Sequence, residues 1–386
     1  MMLLSQAALA TRGRLVGDDV MFDAVTTDSR KAGPGDLFVA LRGERFDGHA
    51  FVADSLRQGA VAAMVETPQP ADGGAQLVVA DTRLALGRLA AAWRDQCAPA
   101  VAAITGSNGK TTVKEMLASI LRQAAGADQV LATEGNLNND IGLPLTLLKL
   151  RPGQRYAVLE MGMNHAGEIS YLTRLAKPDV AVVNNAGPAH LEGLGSVEAV
   201  AYAKGEIFEG LSRQGVAVVN LDDPYASLWR SLAGTRQVLG FGLDPRAEVS
   251  ADYAPEVDGC RLKLKTPDGM VDLRLAVPGL HNVRNALAAT AAAHALSIDL
   301  GVIARGLESY AGTRGRLQAR PGKHGALVID DSYNANPASM RAAVSVLAAY
   351  PGRRVFVMGD MGELGADAAE MHAEIGALAL SQGIDA

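Results

Sequence analysis

Residues 101–115, VAAITGSNGKTTVKE, constrain this chain more than any other stretch. An apolar run of strand character feeds directly into Gly-x-x-Gly-Lys-Thr-Thr, and residues at helical spacing follow. Such a strand–turn–helix gathers unpaired backbone N–H groups at a helix N-terminus, where the macrodipole is positive, and so favours an anion. Gly106 and Gly109 let the backbone come close to a ligand. Lys110 adds a point charge for outer phosphates, and the Thr111 hydroxyl suits Mg²⁺. Ser107, Asn108 and Thr112 complete the loop. The pattern is shorter than the usual Gly-x-x-x-x-Gly-Lys-Ser/Thr: Ile104 stands where that pattern's first glycine would be.

The surrounding pattern predicts an α/β protein. Residues 1–82 alternate short strands (VMFDAV, DLFVAL, AVAAMVE, QLVVAD) with helices, as a small α/β domain does. From 83 to 312 the apolar strands YAVLE, DVAVVNNAG and VAVVNLDD alternate with helices, which predicts a mainly parallel sheet covered on both faces. RLKLKT and MVDLRLAV read as antiparallel strands, and PGLHNVRNALAATAAAHAL as a loop and a long helix. A third unit, 313–386, offers GALVIDDSYNANP as strand and loop, a helix, and RRVFVMGDMGEL as strand and loop. Its two convincing strands are few for a doubly wound domain, so a partial domain is expected.

Composition narrows the function. A formal charge of −6 gives no electrostatic footprint for nucleic acid. Two cysteines with no metal-binding spacing point to a reducing compartment without a disulfide framework. MMLLSQAALATRGR lacks a basic start and an unbroken apolar core, so it predicts a first helix rather than a signal peptide. The apolar stretch from Asn285 to Ile298 is too short to span a bilayer. A cytoplasmic chain without membrane insertion is expected.

Glu160 closes the apolar strand YAVLE, where a carboxylate beside the phosphate loop would serve Mg²⁺, although an acidic strand end is common. EGNLNNDIGLP brings together Asn136, Asn138 and Asn139, a hydrogen-bonding cluster for a polar substrate. Taken singly, each reads as turn or cap chemistry. His190 follows a buried strand and stands evenly between a structural and a metal or phosphate role. Lys204 reads by itself as a solvated helix lysine.

In order, TGSNGKTT, NLNNDIGLP, EMGMNHAGEI, NNAGPAHLEGLGS, AKGEIF, GLHNVRNALAA, GRLQ and DDSYNANP resemble the Mur ligase family, and TDSRKAGPGDLFVALRGERFDGH extends the resemblance over nearly the whole chain. EMGMNHAGEI and DDSYNANP favour the branch that adds a dipeptide over those adding earlier amino acids. The resemblance implies three domains: 1–82 for a UDP-sugar, 83–312 for ATP, and a Rossmann-like 313–386 that is shorter than the family's own. It implies an enzyme that uses ATP and two Mg²⁺ to join D-alanyl-D-alanine to a UDP-N-acetylmuramoyl-tripeptide in making peptidoglycan precursors; a monomer is expected. Lys110 would hold the outer phosphates, with Thr111 and Glu160 on one Mg²⁺. His190 would belong to a second Mg²⁺ site. Lys204 matches a lysine carbamylated in this family, and the carbamate would help bind Mg²⁺. Asn282 and Asn285 match positions near the nucleotide, Arg316 an arginine that reaches the γ-phosphate, and Asp331 a ribose-binding acid. Tyr333 and Asn336 would lie toward the adenine. Ser29, Arg30, Asp47 and His49 match loops that hold the UDP end.

Three other readings stay open. A folylpolyglutamate-synthase type of ligase shares the architecture, but the TDSR and FDGH loops argue against it. A nucleotide-gated switch would hydrolyse ATP without a peptide acceptor. A non-catalytic form would bind the UDP-substrate alone.

Overall fold

The structure is a computed structural model that describes residues 1–386 apart from 71–73, 190 and 363. It divides into two compact units, Met1–Pro99 with Thr133–Gln154, and Ala100–Ala132 with Arg155–Ala386.

In the first unit, five strands form a sheet in the order Arg14–Val16, Ala75–Val78, Ala62–Val65, Asp36–Val39, Ala24–Thr26. The first pair is antiparallel and the others are parallel. The inner strands Asp36–Val39, Ala62–Val65 and Ala75–Val78 carry the most buried residues, as strands covered on both faces must. The N-terminal segment forms the helix Leu4–Thr11, as its pattern predicts. Asp81 caps the helix Thr82–Cys97 by accepting from the Leu84 N–H. The buried Trp93 of that helix donates its indole N–H to the Leu150 carbonyl at 3.0 Å, and Arg83 pairs with Asp140. These contacts tie Thr133–Gln154 into the first unit. The expected border between 82 and 83 therefore separates a helix from the unit in which it packs, and the asparagine cluster 136–139 belongs to the first unit instead of the ATP region.

The second unit is built on six parallel strands, in the order Gln237–Phe241, Val216–Asn220, Val180–Val183, Ala100–Thr105, Tyr156–Glu160, Val130–Ala132. Ala100–Thr105 lies in the middle, so the loop after it opens at the carboxyl edge of the sheet, where ligands bind in such folds. The helix Lys110–Ala125 buries Val113, Met116, Leu117, Ile120 and Leu121. The Ala-rich helix Leu280–Ala295 is buried nearly all round, and both helices join the strands in one core. Three antiparallel strands, Ser250–Glu256, Gly259–Thr266 and Gly269–Leu275, pack onto the same core through Leu262, Leu264 and Leu273.

Residues 313–386 contribute the antiparallel pair Gln318–Pro321 and Leu327–Asp330, then the helices Pro337–Ala348 and Ala368–Ser381. A strand is expected at RRVFVM, but residues 353–358 form none. Among the described residues, their backbone–backbone bonds reach the last residues alone, Phe356 N to Ala386 O and Asp385 N to Arg354 O. Two bonds make no ladder, and Val357 stays 88% exposed.

Candidate active site

The phosphate loop has the predicted form. Gly109 is the N-cap of Lys110–Ala125 at φ +79°, a left-handed conformation that a side chain resists. A Cβ there would also stand 2.3 Å from Asn285 Oδ1 and 2.6 Å from Asn184 Nδ2. The half-buried Lys110 folds its ammonium over the loop, donating to Gly106 O at 2.7 Å. Thr111 Oγ1 donates to Glu160 Oε2 at 2.9 Å, so the hydroxyl and the buried strand-end carboxylate meet as the sequence suggests.

Two residues that sequence reasoning left unassigned hold the loop from the next strand. Asn185 Oδ1 accepts the Asn108 N–H, and the amides of Asn184 and Asn185 donate to Asn108 O. Asn184 Nδ2 also reaches Asn285 Oδ1 at 3.0 Å, and Asn285 in turn donates to Asn282. Asn184 Oδ1 is buried with no partner among the described residues. The pair NN directly after an apolar strand was the available signal.

Beside the loop lies a cavity of about 340 Å³. Asn184, Asn282, Asn285, Arg316 and Asp331 line it, together with Thr111 and Thr112. Sequence reasoning missed Asp222 and Arg284, an ion pair at 2.9 Å on the cavity wall. Arg316 stacks 4.3 Å above the Tyr333 ring, which is itself half exposed and does not line this cavity. Asn336, expected toward the adenine, instead donates to Asn108 Oδ1 at 2.6 Å and lines a small second pocket with Lys110 and Arg316. Gly106 and Ser107 sit in the loop, where Ser107 exchanges hydrogen bonds with Gly187.

Charge is strained here. Burial lowers the Lys110 pKa from the usual lysine value, Glu160 opposes this, and Arg316 adds to it. Lys204 is fully buried in the helix Val197–Gly205. Burial, then the positive charge of Lys110, push its ammonium well below the ordinary lysine range. Lys204 has no hydrogen-bond or ion-pair partner among the described residues. It is thus no solvated helix lysine, but an amine held toward its neutral form beside the phosphate loop. His190 lies outside the described residues. Among those described, no three His, Cys, Asp or Glu side chains cluster as a metal site.

Burial lifts the Asp331 carboxyl to about 6, against the opposing Leu317 N–H and Arg316. A carboxyl raised on folding binds its proton better folded than unfolded, so its cost is absent below about pH 4 and complete above about pH 6. D331N keeps an acceptor for Leu317 and removes that cost. The variant is expected to unfold at a higher temperature than the parent at pH 7.5 and at the same temperature below pH 4. Melting curves across this range check it.

The first unit carries its own cluster. His49 is buried, with Nδ1 2.6 Å from Asp47 Oδ1 and Nε2 accepting the Glu66 N–H at 2.9 Å. Both ring nitrogens are used internally, so His49 sets the loop instead of presenting a free donor. Its N–H and ring hold the Asp47 carboxyl below the usual range, and Arg42 bridges Asp47 and Glu66. Arg30 is exposed and chelates Asp28, whose carboxyl the guanidinium holds at about 2. Ser29 lies beside them, partly exposed. Asn139 Oδ1 caps the turn before Gly142–Leu147 by accepting from Ile141 and Gly142, whereas Asn136 is exposed and Asn138 partly so. Replacing His49 by alanine leaves the Glu66 N–H unpaired, and should cost the chain about 1–3 kcal/mol in urea unfolding. An unchanged unfolding midpoint would contradict this role.

Comparison with known proteins adds an independent line. The Mur ligase middle domain matches residues 104–293, the "Mur ligase, glutamate ligase domain" matches 315–386, and the "Mur ligase family, catalytic domain" matches 22–94. The chain is 48% identical to the UDP-N-acetylmuramoyl-tripeptide–D-alanyl-D-alanine ligase of Escherichia coli K12, over 99% of this chain and 84% of that protein. Among solved structures it resembles MurF from Acinetobacter baumannii, with TM-score 0.94, 44% identity, and coverage of 99% of this chain and 84% of that one. It also resembles the Thermotoga maritima MurF ligase in complex with ADP, with TM-score 0.83, 32% identity, and coverage of 94% and 83%.

Proposed function

The chain belongs to the Mur ligase family and has its three-domain α/β fold, and on that premise we propose that it is an ATP-dependent ligase joining D-alanyl-D-alanine to UDP-N-acetylmuramoyl-tripeptide in peptidoglycan precursor synthesis. The observation that carries this reading is the phosphate loop with Thr111 on Glu160 and a buried Lys204 that feels the charge of Lys110, in a chain 48% identical over nearly its full length to a ligase of that name. That identity favours this reaction over the folylpolyglutamate type and over a switch without a peptide acceptor.

The terminal carboxylate of the tripeptide attacks the γ-phosphorus of ATP, and ADP leaves. The amine of the dipeptide then attacks the acyl carbon of the acyl phosphate, the amide forms, phosphate departs and the amine gives up a proton. Both attack and leaving involve anions, so the site must offset negative charge. Lys110 and the loop N–H groups hold the outer phosphates. Arg316, on the wall of the same cavity, reaches the transferred group. Asp331 takes the ribose hydroxyls, and Asn282 and Asn285 order the nucleotide side.

Thr111 Oγ1 and Glu160 Oε2 are hard oxygen donors 2.9 Å apart, a set that fits Mg²⁺. Thr111 and Glu160 would hold one ion, and His190 and a carbamylated Lys204 a second. Bound Mg²⁺ supplies charge neutralisation on the phosphate oxygens. Carbamylation balances as R–NH₂ + CO₂ → R–NH–COO⁻ + H⁺, and requires the neutral amine that burial favours at Lys204.

Residues 1–82, joined by the 136–139 segment, recognise the UDP-sugar and its peptide through Ser29, Arg30, Asp47 and the asparagines. Residues 83–312 carry ATP, and 313–386 close on it. All the named groups belong to one chain, so a monomer suffices. No described helix is long and apolar enough to cross a membrane, and two free cysteines with ATP as co-substrate suit the cytoplasm. Mass spectrometry of a reaction holding ATP, Mg²⁺, the UDP-tripeptide and the dipeptide tests the reading. UDP-N-acetylmuramoyl-pentapeptide should form in step with ADP. ADP formed equally without the dipeptide, and no pentapeptide, would favour a plain ATPase.

A further inference from the structure

Asn336 does two things at once. It is the N-cap of Pro337–Ala348, with Oδ1 accepting the Ser339 N–H at 2.9 Å and Ser339 Oγ returning to its backbone N–H. Its other terminus, Nδ2, donates to Asn108 Oδ1 at 2.6 Å. The Ser339 N–H fixes which end is oxygen, so the amide toward the phosphate loop is the donor. Helix capping does not by itself require asparagine, since Asp and Ser cap about as well. Only an amide offers an acceptor to Ser339 and a donor to Asn108 together.

Asn108 is also pinned through its backbone. Its backbone N–H and carbonyl are held by Asn184 and Asn185 at the strand end, and Asn184 is linked on to Asn285. Asn336–Asn108 thus joins residues 318–386 to the part of the second unit before residue 313 by a direct side-chain hydrogen bond. Asn336 is 9% exposed, and it encloses with Asn108, Lys110 and Arg316 a pocket of about 40 Å³ over the phosphate loop.

We propose that Asn336 is a positioning residue whose hydrogen bond to Asn108 latches the segment 331–348 onto the phosphate loop, so that docking this segment and ordering the nucleotide phosphates favour one another. The latch acts through the loop conformation, since the strand-end asparagines hold the Asn108 backbone while its side chain receives the bond. Docking also brings Asp331 and Arg316 to the cavity wall, so closure and completion of the nucleotide site are the same event. The inference rests on the phosphate-loop reading above.

Full-length N336S keeps a capping oxygen and loses the donor. The test compares it with the parent, N108A and the double variant in three readouts: thermal unfolding, ADP affinity, and amide exchange of residues 331–348 without nucleotide. N336S should melt with the parent, while ADP binds about three- to tenfold more weakly and exchange of 331–348 speeds by a similar factor, as loss of one hydrogen bond implies. The double variant should be no worse than either single one, because both remove the same bond. Parent-like exchange in N336S, or losses that multiply in the double variant, would overturn the latch even if ADP binds well. A parent chain that does not bind ADP at all would instead overturn the phosphate-loop reading, and the latch with it.

Discussion

Replacing Lys110 by alanine should reduce ATP turnover by about 10³-fold or more while UDP-substrate affinity changes little. The reason is local. Lys110 is the first residue of the helix capped by Gly109, and its ammonium lies over the loop at that helix N-terminus. Burial already makes that charge costly, with Glu160 the main group offsetting the cost. A charge kept there against its own desolvation has value when a phosphate arrives, because in a poorly solvated site its attraction to the transferring group is strong. The groups proposed to hold the UDP end lie in the other compact unit, so the substitution leaves them intact. Steady-state turnover alongside calorimetric binding of the UDP-tripeptide checks both halves. Near-normal turnover would remove the phosphate loop from the account, and a parallel loss of UDP-substrate binding would show general damage to the fold.

Replacing Lys204 by alanine should cost about 10²–10³-fold in turnover, and formate, acetate or propionate should return part of it. A buried lysine with no described partner is expensive as a cation. Its position beside Lys110 makes the cation worse still. Carbamylation resolves both problems, since it replaces a disfavoured positive charge by a negative one that Lys110 attracts. The alanine variant leaves a space the size of a small carboxylate's path to the same point, so the added acid can supply the missing anion. No rescue at any concentration, or an alanine variant as active as the parent, would contradict the carbamate. Mass spectrometry under gentle conditions gives a second check, an added CO₂ on the peptide that contains residue 204.

What could be read in advance was what is written contiguously. The strand, turn and helix around TGSNGKTT follow one another along the chain, so their hydrogen-bonding needs are visible in one window, and Glu160 is marked by ending an apolar strand. Asn184 and Asn185 could not be placed this way. Their role depends on the strand Val180–Val183 lying next to Ala100–Thr105, and strand order is set by packing of whole layers. The edge strands Val130–Ala132 and Gln237–Phe241 went unseen because short apolar runs carry no decisive period. Residues 353–358 failed in the opposite sense: an apolar run looks like a strand, but a strand exists only where a neighbour pairs with it. His49 matched a substrate loop by its position, yet its ring is spent on Asp47 and Glu66. A sequence shows that a histidine is present and not which atoms already satisfy it. Lys204 is the converse, since only burial distinguishes it from an ordinary surface lysine.

The central claim is that this chain passes the tripeptide carboxylate through an acyl phosphate to the dipeptide amine. The most direct measurement uses UDP-tripeptide with both oxygens of the reacting carboxylate labelled with ¹⁸O, together with unlabelled ATP and D-alanyl-D-alanine, and reads the label in the phosphate released. The account predicts one ¹⁸O in each phosphate formed with the amide, because the carboxylate oxygen that attacked phosphorus leaves with it. Phosphate free of label while amide accumulates would mean that the carboxylate never bonded to phosphorus, and the mechanism proposed for Lys110, Arg316 and Lys204 would fall.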